Sequence, residues 1–531
     1  MKFAKAYRNA LACAALAAGG TLAQTSYKFD FTPGFAKNGY IAISDKVTYN
    51  PAQGYGFDFN VPVTCADRGG LDTLTRTVCY PTGAKYMYFS MKLPEGNYKV
   101  TVTLGDGGAA SLTTVKAESR RLFVEKADNA AGAFSKHSFI VNRRNTAIAG
   151  SSGSVAISDR ERGGLNWDGD KLTLEFSNAH PAVTSLEIAP ADAPRQIFLA
   201  GNSTQCDWAT ESETAWGQMI TRFFKDDAVV VSLAEAGLTG TAFISQRRLA
   251  KIMSLIKPGD YLLAEFAHND MKSLSLAEFQ DNFKTFISQA RAKNAVPVLV
   301  TPTPRHTFSG ETPTNSFNTG GVDWLAAVKS VATSESAPLL DLNACATELL
   351  KQIGPIASNL FYWYDASPGG VGQDAIHFNR LGALEIAKCL AQGIKTGIPD
   401  LAVHLAADFT GFDPAHPDPM DTLIIPASAD TSVWHRAVPV SLRPWAFGKT
   451  ADMALTIDPD AHRVTFFSPI AGDAEFSVFQ LDGQRVARKQ LQVFPGERTL
   501  ILDGMRLLPK GLYFLRMKLD GRTHGFIRFL K

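Results

Sequence analysis

Hydrophobic and polar positions change rhythm twice along this chain. From Tyr27 to about Pro194, short runs alternate apolar with polar residues, and Gly, Asn and Asp punctuate them: Lys28 to Phe31, Tyr86 to Lys92, Tyr98 to Leu104, Arg121 to Glu125, Phe139 to Arg143, Lys171 to Phe176 and Ser185 to Ile188. A period of two with turn residues between the runs predicts an all-β sandwich over 24–194, and no helical period competes there. From Arg195 the runs become continuously apolar, in Gln196 to Ala200, Ala228 to Leu233, Tyr261 to Phe266, Val296 to Thr301 and Pro338 to Leu342. Between them Leu249, Ile252 and Ile256, and then Leu276, Phe279, Phe283 and Phe286, recur at helical spacing. Strand and helix in alternation predict a parallel sheet covered on both faces over 195–398, closed by a helix from Leu381 to Ile394. Pro399, Pro414, Pro417, Pro419 and Pro426 mark 399–455 as a linker. Alternation returns over 456–531 in Arg463 to Phe467, Phe476 to Leu481, Thr499 to Leu502 and Gly511 to Lys518, with Leu481-Asp482-Gly483 as a hairpin turn, so a small terminal β domain is expected.

Composition narrows the partners. With 531 residues, 45% of them apolar and 20% charged, the chain is long enough for about three globular domains and is not a disordered polyelectrolyte. Its formal charge is +2, from 53 basic and 51 acidic residues, so no field of one sign is present to hold nucleic acid. Lys2, Lys5 and Arg8 precede a small-residue apolar run from Ala10 to Ala18 and then Thr21-Leu22-Ala23, the pattern of a secretory leader over 1–23 cleaved before Gln24. That run is shorter than the ~20 residues needed to span a bilayer, and no other window approaches it. A secreted or cell-surface location is expected, the periplasm included. Five of the six cysteines, Cys65, Cys79, Cys206, Cys345 and Cys389, lie beyond the leader. Export permits disulfides; Cys65 with Cys79 would close a short loop, and the odd count leaves at least one thiol free. No C-x-x-C or H-E-x-x-H spacing occurs, so no metal or redox motif is found.

In an open parallel sheet, ligands gather beyond the carboxyl ends of the strands. Gly201-Asn202-Ser203-Thr204 follows the first strand of the α/β region, Gly237 lies after the second, Ala267-His268-Asn269-Asp270 ends the third, and Asp374-Ala375-Ile376-His377 precedes the last helix. Acyl transfer needs a hydroxyl, an imidazole to take its proton and a carboxylate to orient that imidazole, the roles open to Ser203, His377 and Asp374. It also needs donors for the oxyanion, which the Ser203 and Gly237 backbone N–H groups and the Asn269 amide can supply. Arg305 and His306 are candidates either for lining the cleft or for plain loop surface.

These four blocks, in this order, resemble the SGNH or GDSL hydrolase superfamily. Ile197 to Thr204, Ile256-Lys257-Pro258-Gly259-Asp260-Tyr261, Glu265 to Asp270, Val300-Thr301-Pro302 and the segment Asn379 to Ala383 are similar to rhamnogalacturonan acetylesterases, over about Arg195 to Ile398. The resemblance implies a flavodoxin-like three-layer α/β hydrolase domain with catalytic Ser203, Asp374 and His377 and an oxyanion hole of Ser203, Gly237 and Asn269. It implies a secreted serine esterase, requiring no metal or organic cofactor, that removes acetyl groups from plant cell-wall polysaccharide, rhamnogalacturonan foremost and acetylated xylan as the alternative; a monomer is expected, with oligomeric state left open. Tyr98 to Asp106 and Lys116 to Arg121 look like the galactose-binding-like jelly roll that precedes the catalytic unit in bacterial members. Val478 to Val486 and Lys510 to Arg516 look like the sorting or attachment domains of exported bacterial proteins. Two positions depart from the family pattern: Asn202 replaces Asp before the nucleophile, and Ala267 replaces Gly, its methyl expected to crowd the Asn269 loop. These departures motivate a second class of function, a non-catalytic carbohydrate-binding protein; a lipase or thioesterase on the same scaffold is the third.

Overall fold

The computed structural model describes residues 26–211, 213–365, 372–419, 425–429, 455–458, 463–468, 472–480, 485–493, 496–502, 508–509, 512–519 and 522–530. The leader and the Leu481-Asp482-Gly483 turn lie outside the described residues. One unit takes in the chain to residue 363 together with 373–435, and a second consists of 364–372 and 436–531.

The first domain is two antiparallel-rich sheets face to face. One contains Tyr27–Phe31, Ile41–Ile43, Val63–Asp67, Thr77–Pro81, Gly96–Leu104, Ser135–Arg143 and Val183–Pro190; the other contains Tyr55–Asp58, Tyr86–Lys92, Ser111–Ala117, Arg121–Asn129 and Lys171–His180. Alternation along the strands puts Phe29, Phe31, Val100 and Val102 from one sheet against Phe89, Met91, Leu174 and Phe176 from the other. Phe57 and Tyr88 are buried, as befits sandwich aromatics. Two short helical turns, Asp159–Arg162 and Leu165–Trp167, interrupt the β pattern that was expected to run unbroken. They are too short to show a period; the first is set instead by a capping box, Ser158 with Glu161.

The α/β domain has five parallel strands in the order Ala228–Ser232, Arg195–Ala200, Tyr261–Ala264, Val296–Val300 and Leu339–Leu340. In chain order that is 2-1-3-4-5, the flavodoxin-like arrangement, with its switch point beside the first strand. Neighbouring residues of each strand feed opposite layers. Ile197, Leu199, Val230, Leu263 and Val298 join the helices Trp216–Met219, Leu342–Ile353 and Arg380–Gly397. Phe198, Ala200, Val231, Leu262 and Leu299 join Arg248–Leu255, Leu276–Ala292 and Trp324–Ser334. Cys345 and Cys389 form a disulfide between two helices of the first layer, Cys65 bonds Cys79, and Cys206 is buried and free.

The Pro-rich stretch departs from a linker where it is described. Leu401, Leu405 and Ile425 bury themselves in the core of the α/β unit, Arg380 Nε donates to the Ile425 carbonyl at 2.7 Å, and Lys116 Nζ donates to the Pro426 carbonyl, also at 2.7 Å. Apolar residues spaced between the prolines outweigh the extended bias that proline imposes. The terminal unit has a three-stranded sheet, Leu455–Asp458, Arg463–Ser468 and Gly496–Ile501, and a four-stranded one, Gly472–Gln480, Arg485–Val493, Leu512–Leu519 and Arg522–Leu530. Val464, Phe466, Phe476, Val478, Leu515 and Met517 form its own core. No helix among the described residues is long and apolar enough to cross a membrane.

Candidate active site

Three loops leave the central sheet side by side, because Glu235 N–H donates to the Gly201 carbonyl at 3.3 Å and Glu265 N–H donates to the Ala200 carbonyl at 3.0 Å. Gly201 opens the first, where a Cβ would collide with the Gln205 side chain. Asn202 is fully buried, and its Oδ1 accepts from Thr204 N–H at 3.2 Å and Thr204 Oγ1 at 3.1 Å. A carboxylate would accept the same two bonds, so the change from Asp preserves the turn.

Ser203 stands at the crest of this turn. Its Oγ is 2.9 Å from His377 Nε2, and His377 Nδ1 is 2.9 Å from Asp374 Oδ2. The other carboxylate oxygen accepts Ile376 N–H at 2.6 Å and His377 N–H at 2.7 Å. Burial alone would raise the Asp374 carboxyl, but its bonds with the His377 ring and the two backbone amides prevail and hold it below the usual range. Asp374 and His377 lie on a strand, Gly372–Phe378, and not in a loop before the helix as the sequence suggested. Pairing with Tyr362–Asp365 extends that segment, which local pattern does not foresee. Asn379, capping the helix Arg380–Gly397, ends it.

Gly237 has φ 79°, which glycine adopts without strain. Asn269 Nδ2 donates to the Leu238 carbonyl at 3.2 Å, joining the second and third loops and leaving one amide hydrogen unused. Among the described residues the backbone N–H groups of Ser203 and Gly237 make no hydrogen bond. Asp270 braces the loop from beneath, accepting Gly240 N–H at 2.7 Å and Ala267 N–H at 3.1 Å; burial pushes its carboxyl up to about 6. The Ala267 departure is expressed in the backbone: its φ is 140°, a conformation suited to glycine, while its methyl is buried among apolar neighbours.

Other residues beside the dyad escaped the sequence reading. Trp208 Nε1 donates to the Ser203 carbonyl at 2.9 Å, and the indole meets the His377 ring edge-on, 5.6 Å between centroids. The Arg160 guanidinium lies 4.2 Å from the indole centre and pairs with Glu235. From the turn between two strands of the β-sandwich, Arg120 donates to the carbonyls of Trp208, Thr210 and Glu213 and pairs with Glu211 at 2.8 Å. That loop ends at Thr214, whose N–H donates to the Phe378 carbonyl at 2.8 Å, next to His377. Glu265, fully buried, accepts Trp216 Nε1 at 2.7 Å and Thr303 N–H at 3.2 Å, its Oε1 lies 2.9 Å from Thr204 Oγ1, and burial pushes it up to about 7. Nothing local marks Trp208 or Arg120, since Arg120 meets Trp208 from 88 residues away and Trp208 meets the His377 ring from a still more distant segment. Of the two rim candidates, His306 is tied up by Ser358 Oγ at 2.8 Å and by the Tyr362 ring, and Arg305 is half-buried.

No group of three or more His, Cys, Asp or Glu side chains that could hold a metal ion occurs among the described residues. The arrangement at hand is a hydroxyl bonded to an imidazole whose far nitrogen meets a carboxylate, with unused N–H donors on the adjoining loops. Such a set can generate an oxygen nucleophile and stabilise a tetrahedral oxyanion.

Comparison with known proteins bears on the same segments. Residues 27–139 match a family described as beta-agarase/YXIM esterase-like, galactose-binding domain-like, and residues 199–383 match the GDSL-like lipase/acylhydrolase family. Rhamnogalacturonan acetylesterase RhgT of Bacillus subtilis (strain 168) is 34% identical over 226 residues, 40% of this chain and 95% of that protein. Uncharacterized esterase YxiM of the same organism is 28% identical over 380 residues, 70% of this chain and 90% of that protein. A crystal structure of the YxiM protein aligns at 26% identity over 70% of this chain and 98% of that one, with a TM-score of 0.36.

Proposed function

The chain belongs to the GDSL-like lipase/acylhydrolase family, and from that premise we propose that it is an exported serine esterase that deacetylates plant cell-wall polysaccharide, rhamnogalacturonan in particular. The observation that carries the reading is the continuous hydrogen-bond chain from Ser203 Oγ through His377 to Asp374. Ser203 Oγ attacks the acetyl carbonyl as His377 Nε2 takes its proton, and Asp374 steadies the imidazolium. The Ser203 and Gly237 amides and the free Asn269 amide hydrogen receive the oxyanion. His377 then returns the proton to the departing sugar oxygen, and a water molecule repeats the sequence on the acetyl-enzyme to free acetate.

The substrate reading is supported by the named activity of RhgT together with the match of residues 27–139 to a galactose-binding-like family. Export is supported by the leader pattern and by two disulfides, bonds that persist in oxidising compartments. In this reading the terminal β domain serves secretion or surface attachment.

Ser203→Ala tests the mechanism. Acetate release from acetylated rhamnogalacturonan and hydrolysis of 4-nitrophenyl acetate both fall by about 10⁴-fold or more, with unchanged circular dichroism. Turnover equal to that of the parent enzyme removes Ser203 from the chemistry.

A further inference from the structure

The cations around the dyad divide into matched and unmatched. Arg120 faces Glu211 at 2.8 Å, Arg144 faces Asp207 at 2.7 Å, Arg248 faces Glu161 at 2.7 Å, and Arg160 faces Glu235. Arg305 and Lys272 make no ion pair among the described residues. Arg305 follows the strand Val296–Val300 and is half-buried. One Nη reaches the His268 carbonyl at 3.5 Å and the Met271 sulfur at 3.9 Å, both long contacts, and its Nε is buried without any partner. Its neighbour His306 donates its N–H to the Ala375 carbonyl at 2.7 Å, so Arg305 stands where the Asn269 loop meets the Asp374–His377 segment. Lys272 Nζ approaches Asn269 Oδ1 at 3.5 Å.

A guanidinium drawn out of water with no carboxylate and few good acceptors is poorly compensated, and burial lowers its affinity for the proton accordingly. Its planar fork is suited to an incoming carboxylate, which it grips through two parallel bonds. We infer that Arg305, with Lys272 beside it, takes the carboxylate of a uronic acid unit in the acetylated chain and so sets which ester reaches Ser203. This deepens the deacetylase reading and rests on it: the charge of the uronic acid carboxyl, read by Arg305, and not the acetyl ester alone, selects the unit that is cleaved.

The test measures acetate released from acetylated oligogalacturonides as free acids, from the same oligomers after methyl-esterification of their carboxyls, and from acetylated xylo-oligosaccharides. Wild-type kcat/KM is expected to be about ten- to a hundredfold higher on the free acid than on the methyl ester, the worth of a charge-assisted bond. That preference should shrink as salt is raised. Arg305→Gln should abolish it, and Arg305→Glu should reverse it in favour of the methyl ester. If wild type cleaves acid and methyl ester equally well, the carboxylate inference falls and the deacetylase reading stands. If wild type releases acetate from xylo-oligosaccharides and from no uronide, the substrate reading falls and takes the inference with it. The wild-type comparison and its salt dependence decide even where a variant fails to fold.

Discussion

The two flanks of the Ser203–His377 pair are built on opposite electrostatic plans. On the Trp208 flank, Arg120 and Arg160 are each matched by an acid, and their hydrogen bonds end on the loop that follows the nucleophile. On the Asn269 flank the loop is held by neutral bonds and by Asp270, while Arg305 and Lys272 have no counter-charge among the described residues. Matched charges fix a backbone; unmatched ones leave capacity for a ligand. Substitutions on the first flank should therefore appear as lost stability and lower kcat. Substitutions on the second should appear as altered discrimination among substrates.

The largest effect expected from breaking this contrast is at Arg120. The turn that carries it has two residues at positive φ, Glu118 at 55° and Arg120 at 61°, so the sandwich holds a strained turn in order to reach the loop. Truncation to Ala takes from Glu211 its 2.8 Å partner, leaving it Arg380 at 4.0 Å and the Ser428 N–H, and strips the Thr210 and Glu213 carbonyls of their donor while Trp208 keeps Gln218, at a cost of about 3–5 kcal/mol. Denaturant unfolding should show this loss, and any folded fraction should have reduced kcat because Trp208 no longer braces His377. A stability within 1 kcal/mol of wild type would mean that the first domain merely rests on the catalytic loop.

Between the flanks lies Glu265, bonded to the nucleophile turn through Thr204 and preceding the Asn269 loop. Burial pushes its carboxyl up to about 7 in the folded protein against an ordinary value of 4.5. An acid with a raised folded value holds its proton more tightly when folded, so its contribution is most favourable below about pH 4.5. That contribution declines through the interval and is wholly lost above about pH 7. The span amounts to about 3 kcal/mol as an order of magnitude. Glu265→Gln should flatten the fall in stability between pH 5 and pH 8 relative to wild type. Parallel unfolding profiles for the two proteins would show that the carboxyl is ionised throughout.

The fold class was legible because each kind of element buries its residues in its own rhythm. Residues Ile197 to Ala200 are all apolar, which only a strand covered on both faces requires, and they do feed two separate cores. Ile41–Ile43 was missed because three residues carry too little pattern to stand out from a loop, and Val63–Asp67 because none of its residues is buried, so it has no apolar face to mark a period. In the candidate site, Ser203, Asp374 and His377 could be read together because acyl transfer by such a set demands a hydroxyl, an imidazole and a carboxylate, and the three are joined by hydrogen bonds in that order. Trp208, Arg120 and Glu265 could not be, because each acts through a partner chosen by the tertiary fold. An arginine in a β-turn reads as solvent surface, and only the placement of one domain against the loop of another makes Arg120 a buried clamp.

The smallest effect tests whether the Asn269 flank pays for its geometry. Ala267 holds φ 140°, and an alanine in a region open chiefly to glycine costs about 1–3 kcal/mol. Replacing it with Gly removes that strain but also a fully buried methyl, worth about 0.8 kcal/mol, and loosens the unfolded chain by about 0.4–1 kcal/mol. These terms nearly cancel, leaving an expected gain of about 1 kcal/mol or less, readable as a small rise in Tm. Because Ala267 N–H still reaches Asp270, the loop should keep its path and kcat should change by less than about threefold. A loss of stability would mean that the methyl, packed with Phe266 and its neighbours, stabilises the loop by more than its backbone strains it. The departure from the family pattern would then be a packing adaptation, and the unmatched charges of this flank would rest on a loop as firmly set as the one opposite.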